Sequence, residues 1–159
     1  IQTVKKLNSL NRRIILETRI LTPRGFPFVD HWGQPGTYDL KFGIINVSQV
    51  FAVAIRIVQN QYVLIWNNGL NSFATGIVPS VEPIDIGINP EAPTNFDRLK
   101  ITITGLNIEF DINGTKYNHV NTNNIDGYGS IKVETEDFLS NDFQDFGLTI
   151  DYLKIRSSR

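Results

Sequence analysis

Residues 98–112 alternate between apolar and polar side chains in two runs separated by Gly105. The apolar positions are Leu99, Ile101 and Ile103 in the first run, and Leu106, Ile108, Phe110 and Ile112 in the second. A period of two places one face of a strand against a core and the other face in water. Two such runs around one glycine predict a tight antiparallel hairpin. Asn113-Gly114 predicts a further turn at its end, because both residues tolerate positive φ.

Further strands follow from the same alternation or from continuous apolar runs. They are predicted at residues 12–22, 37–47, 50–58, 61–66, 130–135 and 148–155. The run 50–58 is apolar on both faces apart from Arg56, which is typical of a central strand covered on two sides. Residues 1–11 are either a linker remnant or an edge strand, and residues 12–159 form a single domain.

Segments rich in proline, glycine or asparagine predict the connections between these strands. The predicted connections are residues 23–36, 70–97, 118–129 and 136–147, with possible short edge strands at 77–78 and 84–88. A two-residue turn at Gln59-Asn60 places Arg56 opposite Val63, whereas a three-residue loop over 58–60 places it opposite Tyr62. About ten short strands with turns between them predict an all-β sandwich or barrel.

Composition narrows the classes of partner. The chain has 159 residues, enough for one core, and a net charge of −1 from 15 basic and 16 acidic residues. This balance argues against a nucleic-acid partner held by a basic surface. No cysteine is present, so disulfides and thiolate chemistry are excluded, and no apolar stretch approaches the ~20 residues that membrane insertion requires. Methionine is absent even from position 1, which indicates a piece of a larger multidomain or multimeric protein, or a processed product.

The order of motifs resembles the concanavalin A-like jelly-roll family of lectins, laminin-G-like modules and carbohydrate-binding modules. The motifs are L-E-T-R-I at 16–20, V-A-I-R-I-V at 53–58, Y-V-L-I-W at 62–66, the hairpin from 96 to 114, D-G-Y-G-S-I-K-V-E at 126–134 and G-L-T-I-D-Y-L-K-I at 147–155. Phe96 stands where the family often has Trp, and Lys132 where a second glycine is common. The resemblance implies a two-sheet antiparallel β-sandwich.

The resemblance also implies a function. We expect a non-catalytic carbohydrate-binding module for a cell-surface or polymeric glycan, on an extracellular protein or a virion surface. Phage tail and baseplate carbohydrate-binding domains are similar in style. The alternatives are a glycoside hydrolase or lyase of the same fold, or a structural or protein-adhesion domain of a multimeric assembly.

Enzymes of this family that cleave β-glucans carry two or three alternating carboxylates on one strand, close enough to act as nucleophile and acid. Two partial matches occur here, Glu134 with Glu136 and Glu109 with Asp111. Phe138 and Asn113 stand where the next carboxylate is needed. We therefore expect no catalytic residues, and a solvated strand face at both places.

Metal ligands lack a diagnostic spacing. His31 and His119 fall in separate predicted loops, which argues against zinc. The family also binds calcium through loop oxygens, and the aspartates in suitable loops are Asp30, Asp126, Asp142 and Asp145. Their spacing matches no known calcium motif, so we expect no cofactor, with calcium left open and the metal site unassigned.

Aromatic rings beside polar side chains give the candidate binding site, since a sugar offers a CH face to stack on and hydroxyls to bond. Trp32 is flanked by Asp30 and His31, and Trp66 is followed by Asn67 and Asn68. Arg56 interrupts an apolar strand, which is costly unless it faces a groove or a carboxylate. The predicted ligand-binding residues are Asp30, His31, Trp32, Arg56, Tyr62, Trp66, Asn67 and Asn68. Trp66 is alternatively a core residue, in phase with Tyr62 and Leu64.

Overall fold

A computed structural model describes residues 1–3, 5–22, 28–29, 35–58, 60–80, 96–136 and 149–159. These residues form twelve β-strands, and the described ranges contain no helix. The strands are Leu7–Asn8 (β1), Arg13–Leu21 (β2), Phe28–Val29 (β3), Pro35–Ile45 (β4), Phe51–Val58 (β5), Gln61–Trp66 (β6), Asn71–Ala74 (β7), Asp97–Thr104 (β8), Asn107–Ile112 (β9), Thr115–Val120 (β10), Asp126–Glu136 (β11) and Thr149–Ser158 (β12).

The strands form two antiparallel sheets. The seven-stranded sheet has the order β1-β11-β4-β5-β6-β7, with β3 pairing to β4. The five-stranded sheet has the order β10-β9-β8-β2-β12. The predicted two-sheet antiparallel sandwich is therefore confirmed, and β5 is a central strand as its two apolar faces predicted.

The core lies between the two sheets and is built from the alternating positions. Ile14, Leu16 and Ile20 on β2 are at most 1% exposed, and so are the inward residues of β8 and β9. The seven-stranded sheet contributes Leu40, Phe42, Ile44, Val53, Ile55, Ile57, Tyr62, Leu64 and Ile131. Alternation thus decides which face of each strand is buried.

The predicted hairpin forms β8 and β9. Thr104 pairs with Asn107, so Gly105 and Leu106 make a two-residue turn. Gly105 has φ of 60°, and Leu106 is 38% exposed because it lies in the turn and not on the apolar face. The second predicted turn is also present, since Ile112 pairs with Thr115 across Asn113 and Gly114.

Strand β7 lies in a segment that was predicted to be a loop, and strand β10 extends into another. Strand β10 occupies residues 115–120, and β7 occupies residues 71–74. Both are edge strands of their sheets, with short and mostly polar sequences that lack a clear alternation. Ile77-Val78 is not a strand, although the Tyr62 amide donates to the Ile77 carbonyl at 2.9 Å. The predicted strand at 84–88 and the loop at 137–147 lie outside the described residues.

Candidate functional site

The outer face of the five-stranded sheet neutralises its own charges. One row across it contains Lys154, Glu17, Lys100, Asp111 and Lys116, each opposite the next on the neighbouring strand. Opposite charges on adjacent strands attract, so this alternation stabilises the sheet. Glu109 and Asp111, one of the two partial carboxylate matches, belong to this face. Glu109 forms an ion pair with Lys116 at 3.1 Å, and the Gly114 amide donates to Asp111 at 2.7 Å.

Glu17 also accepts a hydrogen bond from the Tyr152 hydroxyl on β12. This bond, aided by Arg98, holds the pKa of the Glu17 carboxyl below its usual range. A lowered folded-state pKa adds stability above the ordinary glutamate pKa, and that stability is lost as pH falls through the lowered pKa.

We expect Tyr152→Phe to move the Glu17 pKa back toward its ordinary value, because the donated hydrogen bond is the main cause of the shift. Carbon-detected NMR titration of the side-chain carboxyl measures this directly. Tyr117→Phe is the matched control, since Tyr117 lies on the inner face of β10 away from Glu17. An unchanged Glu17 pKa in Tyr152→Phe contradicts the assignment.

The outer face of the seven-stranded sheet is arranged differently. Lys132 on β11 pairs with Lys41 on β4, and Lys41 pairs with Arg56 on β5. We call these three residues the cation row. Like charges placed directly opposite each other destabilise a sheet. A row of three on adjacent strands therefore carries a stability cost and concentrates positive charge along one line. The five-stranded sheet also places two like charges opposite each other, Arg19 and Arg98, and each of them has a carboxylate partner.

One carboxylate neutralises part of the row. Asp39 accepts two hydrogen bonds from Arg56, from Nε and from an Nη atom, both at 2.8 Å. Lys41 lies 3.4 Å from the same carboxylate. The side chains of Asp39, Lys41 and Arg56 are 23%, 27% and 36% exposed, so all three remain reachable from solvent. One carboxylate therefore serves two of the three cations of the row.

A strip of small side chains lies next to the cation row, two residues along each strand. Ser130, Gly43 and Ala54 lie opposite one another on β11, β4 and β5. Ala54 is fully buried and Ser130 is 4% exposed, so both lie below the level of their longer neighbours. The strip meets an apolar cluster at Ala54, which packs with Ile45, Phe51 and Ile65, and Tyr128 packs against this cluster. The outer face therefore combines the cation row, a neighbouring strip of small side chains, and an apolar cluster next to that strip.

The predicted site residues do not meet in one place. Arg56 lies in the cation row, opposite Val63 as the two-residue turn predicted. Tyr62 is fully buried, and its hydroxyl donates to Asp97 at 2.6 Å. A side chain without exposed area cannot touch a ligand, so Tyr62 acts as a core residue here. Trp66 is partly buried against the core and stacks on His119 with ring centroids 3.8 Å apart, so its predicted role in binding stays a prediction.

Asn67 and Asn68 form the turn between β6 and β7, with φ of 56° and 54°. The Asn67 amide donates to the Asn121 side chain at 2.6 Å, and the Asn67 side chain donates to Asn71 at 3.0 Å. These bonds hold the turn against the loop that follows β10. Asp30, His31 and Trp32 lie outside the described residues, so their predicted role stays a prediction.

Sequence reasoning missed most of the cation row. The signal was present, because Asp39, Lys41 and Lys132 are charged residues that alternate with apolar ones in D-L-K and I-K-V. Which charges oppose each other depends on β4 pairing with β11, strands separated by about ninety residues in the chain. Among the described residues, no three His, Asp or Glu side chains group as a metal site, and Asp126 pairs with Lys6 at 2.7 Å.

Comparison with known proteins supports the fold. No protein-family model and no curated protein matches the chain. Alginate lyase AlgAT5 of polysaccharide lyase family 7 has a TM-score of 0.60 at 14% identity, over 98% of this chain and 63% of that one. An alginate lyase from Corynebacterium sp. has 0.59 at 8%, over 97% and 62%. A human galectin-16 variant has 0.50 at 15%, over 98% and 97%.

These likenesses show a jelly-roll sandwich shared with carbohydrate-related proteins. The chain spans somewhat less than two thirds of the two lyases. The prediction that this domain is not an enzyme is contradicted, since alginate lyases are among the structures that resemble it. The comparisons give no support to a phage tail or baseplate setting. The described part of the chain has no helix long and apolar enough to cross a membrane.

Proposed function

We propose that this domain binds an acidic polysaccharide across the cation row and cleaves it as a lyase. The observation that carries the proposal is the line of three cations on adjacent strands, which concentrates positive charge where an anionic polymer can bind. A polyuronate carries a carboxylate on every sugar. The likeness to alginate lyases supports the same substrate class.

Elimination from a uronate needs positive charge beside the carboxylate of the uronate. A base removes the proton next to the carboxylate, the C–H electrons form a carbon–carbon double bond, and the glycosidic C–O bond breaks as its oxygen gains a proton. Negative charge builds on the carboxylate in the transition state, and cations held at that point lower the barrier. Arg56 can contact a carboxylate through two parallel N–H groups, while lysine ammonium groups supply point charges.

The pairing of Arg56 with a carboxylate that it shares with Lys41 fits a binding role. Asp39 holds the guanidinium in place through two hydrogen bonds, and Lys41 shares the same carboxylate. A fixed guanidinium loses less side-chain freedom when ligand binds. Asp39 is therefore a positioning residue for Arg56, and Lys41 and Lys132 add positive charge on the neighbouring strands.

We expect Lys41→Gln/Lys132→Gln to weaken binding of polygalacturonate or alginate by about tenfold or more, because hydrogen bonds to charged groups contribute roughly 1.5–3 kcal/mol each. Lys100→Gln/Lys116→Gln is the matched control. It removes two charges from the alternating row of the other sheet and should leave affinity within about twofold. Calorimetry at low and moderate salt measures both.

Cleavage is tested separately, through the ultraviolet absorbance of the unsaturated sugar that elimination leaves. The wild-type domain should release it and Arg56→Gln should release much less. Equal affinity of the two double variants for the polymer would overturn the proposed site. If the domain binds polyuronates but releases no unsaturated product from any member of a panel, the proposed lyase activity is refuted and the proposed binding still stands.

A further inference from the structure

A second concave region, separate from the cation row, lies beside the N-terminal segment, and its lining residue Gln2 bridges to Ser130 on β11. It has a volume of about 520 Å³ and lies between the N-terminal segment, residues 2–8, and β12. We call it the edge cavity. Leu7 belongs to the seven-stranded sheet through β1, and Ile155 belongs to the five-stranded sheet through β12. The cavity therefore sits where the two sheet edges part.

The wall of the edge cavity is positive. Its charged lining residues are Lys5, Lys6 and Arg12, and no described carboxylate is among the residues that line it. Lys6 pairs with Asp126 at 2.7 Å outside the lining. In the described part of the chain, neither Lys5 nor Arg12 forms an ion pair. Two cations thus face one concave space without a carboxylate to neutralise them.

The floor and rim have different chemistry. Leu7 and Ile155 give an apolar floor, while Gln2, Asn8 and Ser157 offer amide and hydroxyl groups. A Cβ at Gly129 would lie 2.6 Å from the Ile155 Cδ1 atom and 3.3 Å from the Thr3 methyl group, so a larger residue there would press on two residues that line the cavity. Pockets that bind small molecules are commonly ~300–1,000 Å³, with an apolar lining and a few polar groups.

We infer that the edge cavity is a second binding site, for the end of a short acidic oligosaccharide. A sugar ring presents an apolar face that fits the floor, its hydroxyls fit the amide groups, and its carboxylate fits Lys5 and Arg12. The inference deepens the proposed function, since it gives the same class of ligand a separate place to bind. A ligand held here joins the two sheet edges, so it also stabilises the folded state.

Trigalacturonate is the probe, and amide NMR shifts locate where it binds. We expect saturable shifts at residues 5–8 and 155–157, distinct from any shifts at residues 41, 56 and 132. Lys5→Gln/Arg12→Gln should reduce affinity at the cavity by about tenfold. Lys154→Gln/Arg156→Gln is the matched control, because it removes two charges from the outer face of the same β12 strand. Neutral galactotriose should produce neither set of shifts.

The outcomes separate the two sites. Shifts at the cation row without shifts at the edge cavity would refute the second site and leave the proposed function intact. Shifts at the cavity that persist in Lys41→Gln/Lys132→Gln would support it independently of the row. Equal loss in the Lys5/Arg12 and Lys154/Arg156 variants would show a diffuse charge effect and overturn the inference. All four substituted residues are exposed, so each variant should fold, which thermal unfolding checks.

Discussion

Replacing Asp97 with alanine is expected to lower the free energy of unfolding by about 3–4 kcal/mol, since each buried polar group that loses its partner costs roughly 1–3 kcal/mol. Asp97 is 2% exposed at the start of β8. It accepts hydrogen bonds from the Tyr62 hydroxyl at 2.6 Å, the Ser80 amide at 2.7 Å, the Ser80 hydroxyl at 2.8 Å and the Asn113 side chain at 2.9 Å. Removing this carboxylate leaves several donors without an acceptor. They belong to Tyr62 in one sheet, to Asn113 in a turn of the other sheet, and to Ser80.

Urea unfolding followed by circular dichroism measures the loss. Tyr62→Phe removes a single donor and should cost about 1 kcal/mol. Asp151→Ala is the matched carboxylate control, because Asp151 is 43% exposed and pairs with Arg19 at the surface, where such pairs contribute about 0–1 kcal/mol. A loss in Asp97→Ala no larger than that in Asp151→Ala would show that the buried network does not hold the sheets together.

Tyr62 shows how far sequence reasoning reaches. Its phase with Leu64 and Trp66 correctly predicts one shared face of β6, and the structure places that face against the core. Alternation cannot reveal that a tyrosine hydroxyl has a buried carboxylate partner 35 residues later. A ring next to polar residues therefore suggested a ligand platform, when the hydroxyl in fact bonds within the protein.

The candidate site has the same limitation. Short-range rules left two partners for Arg56, Val63 or Tyr62, because the length of the turn after β5 sets the register with β6, and the structure has Val63. They could not give Lys41 or Lys132 as its neighbours, since those contacts depend on the order of strands within the sheet. Asn67 and Asn68 carried a polar signal, but their positive φ and hydrogen bonds serve the turn. Local sequence predicts faces and turns, and long-range pairing assembles the charges.

Gly43→Ala is expected to destabilise the fold by about 3 kcal/mol, the upper part of the range for overpacking a close-packed site. Gly43 lies on β4 between Lys41 and Ile45 and pairs with Ala54 on β5. A Cβ at this position would lie 1.9 Å from the Val53 carbonyl oxygen and 2.7 Å from the Ala54 Cα. Both are backbone atoms of the neighbouring strand, so no side chain can rotate away and the strands themselves must separate.

The separation should also impair binding, because the Lys41–Arg56 pair lies two residues from Gly43 on the same face. We expect Gly43→Ala to weaken polyuronate binding even at temperatures where the variant is folded. Ala74→Val is the matched control, since it adds bulk to an exposed position of edge strand β7, where a β-branched residue is well tolerated. Thermal unfolding and calorimetry on both variants decide the matter: a Gly43→Ala protein as stable as Ala74→Val would mean that β4 and β5 lie farther apart than this register requires.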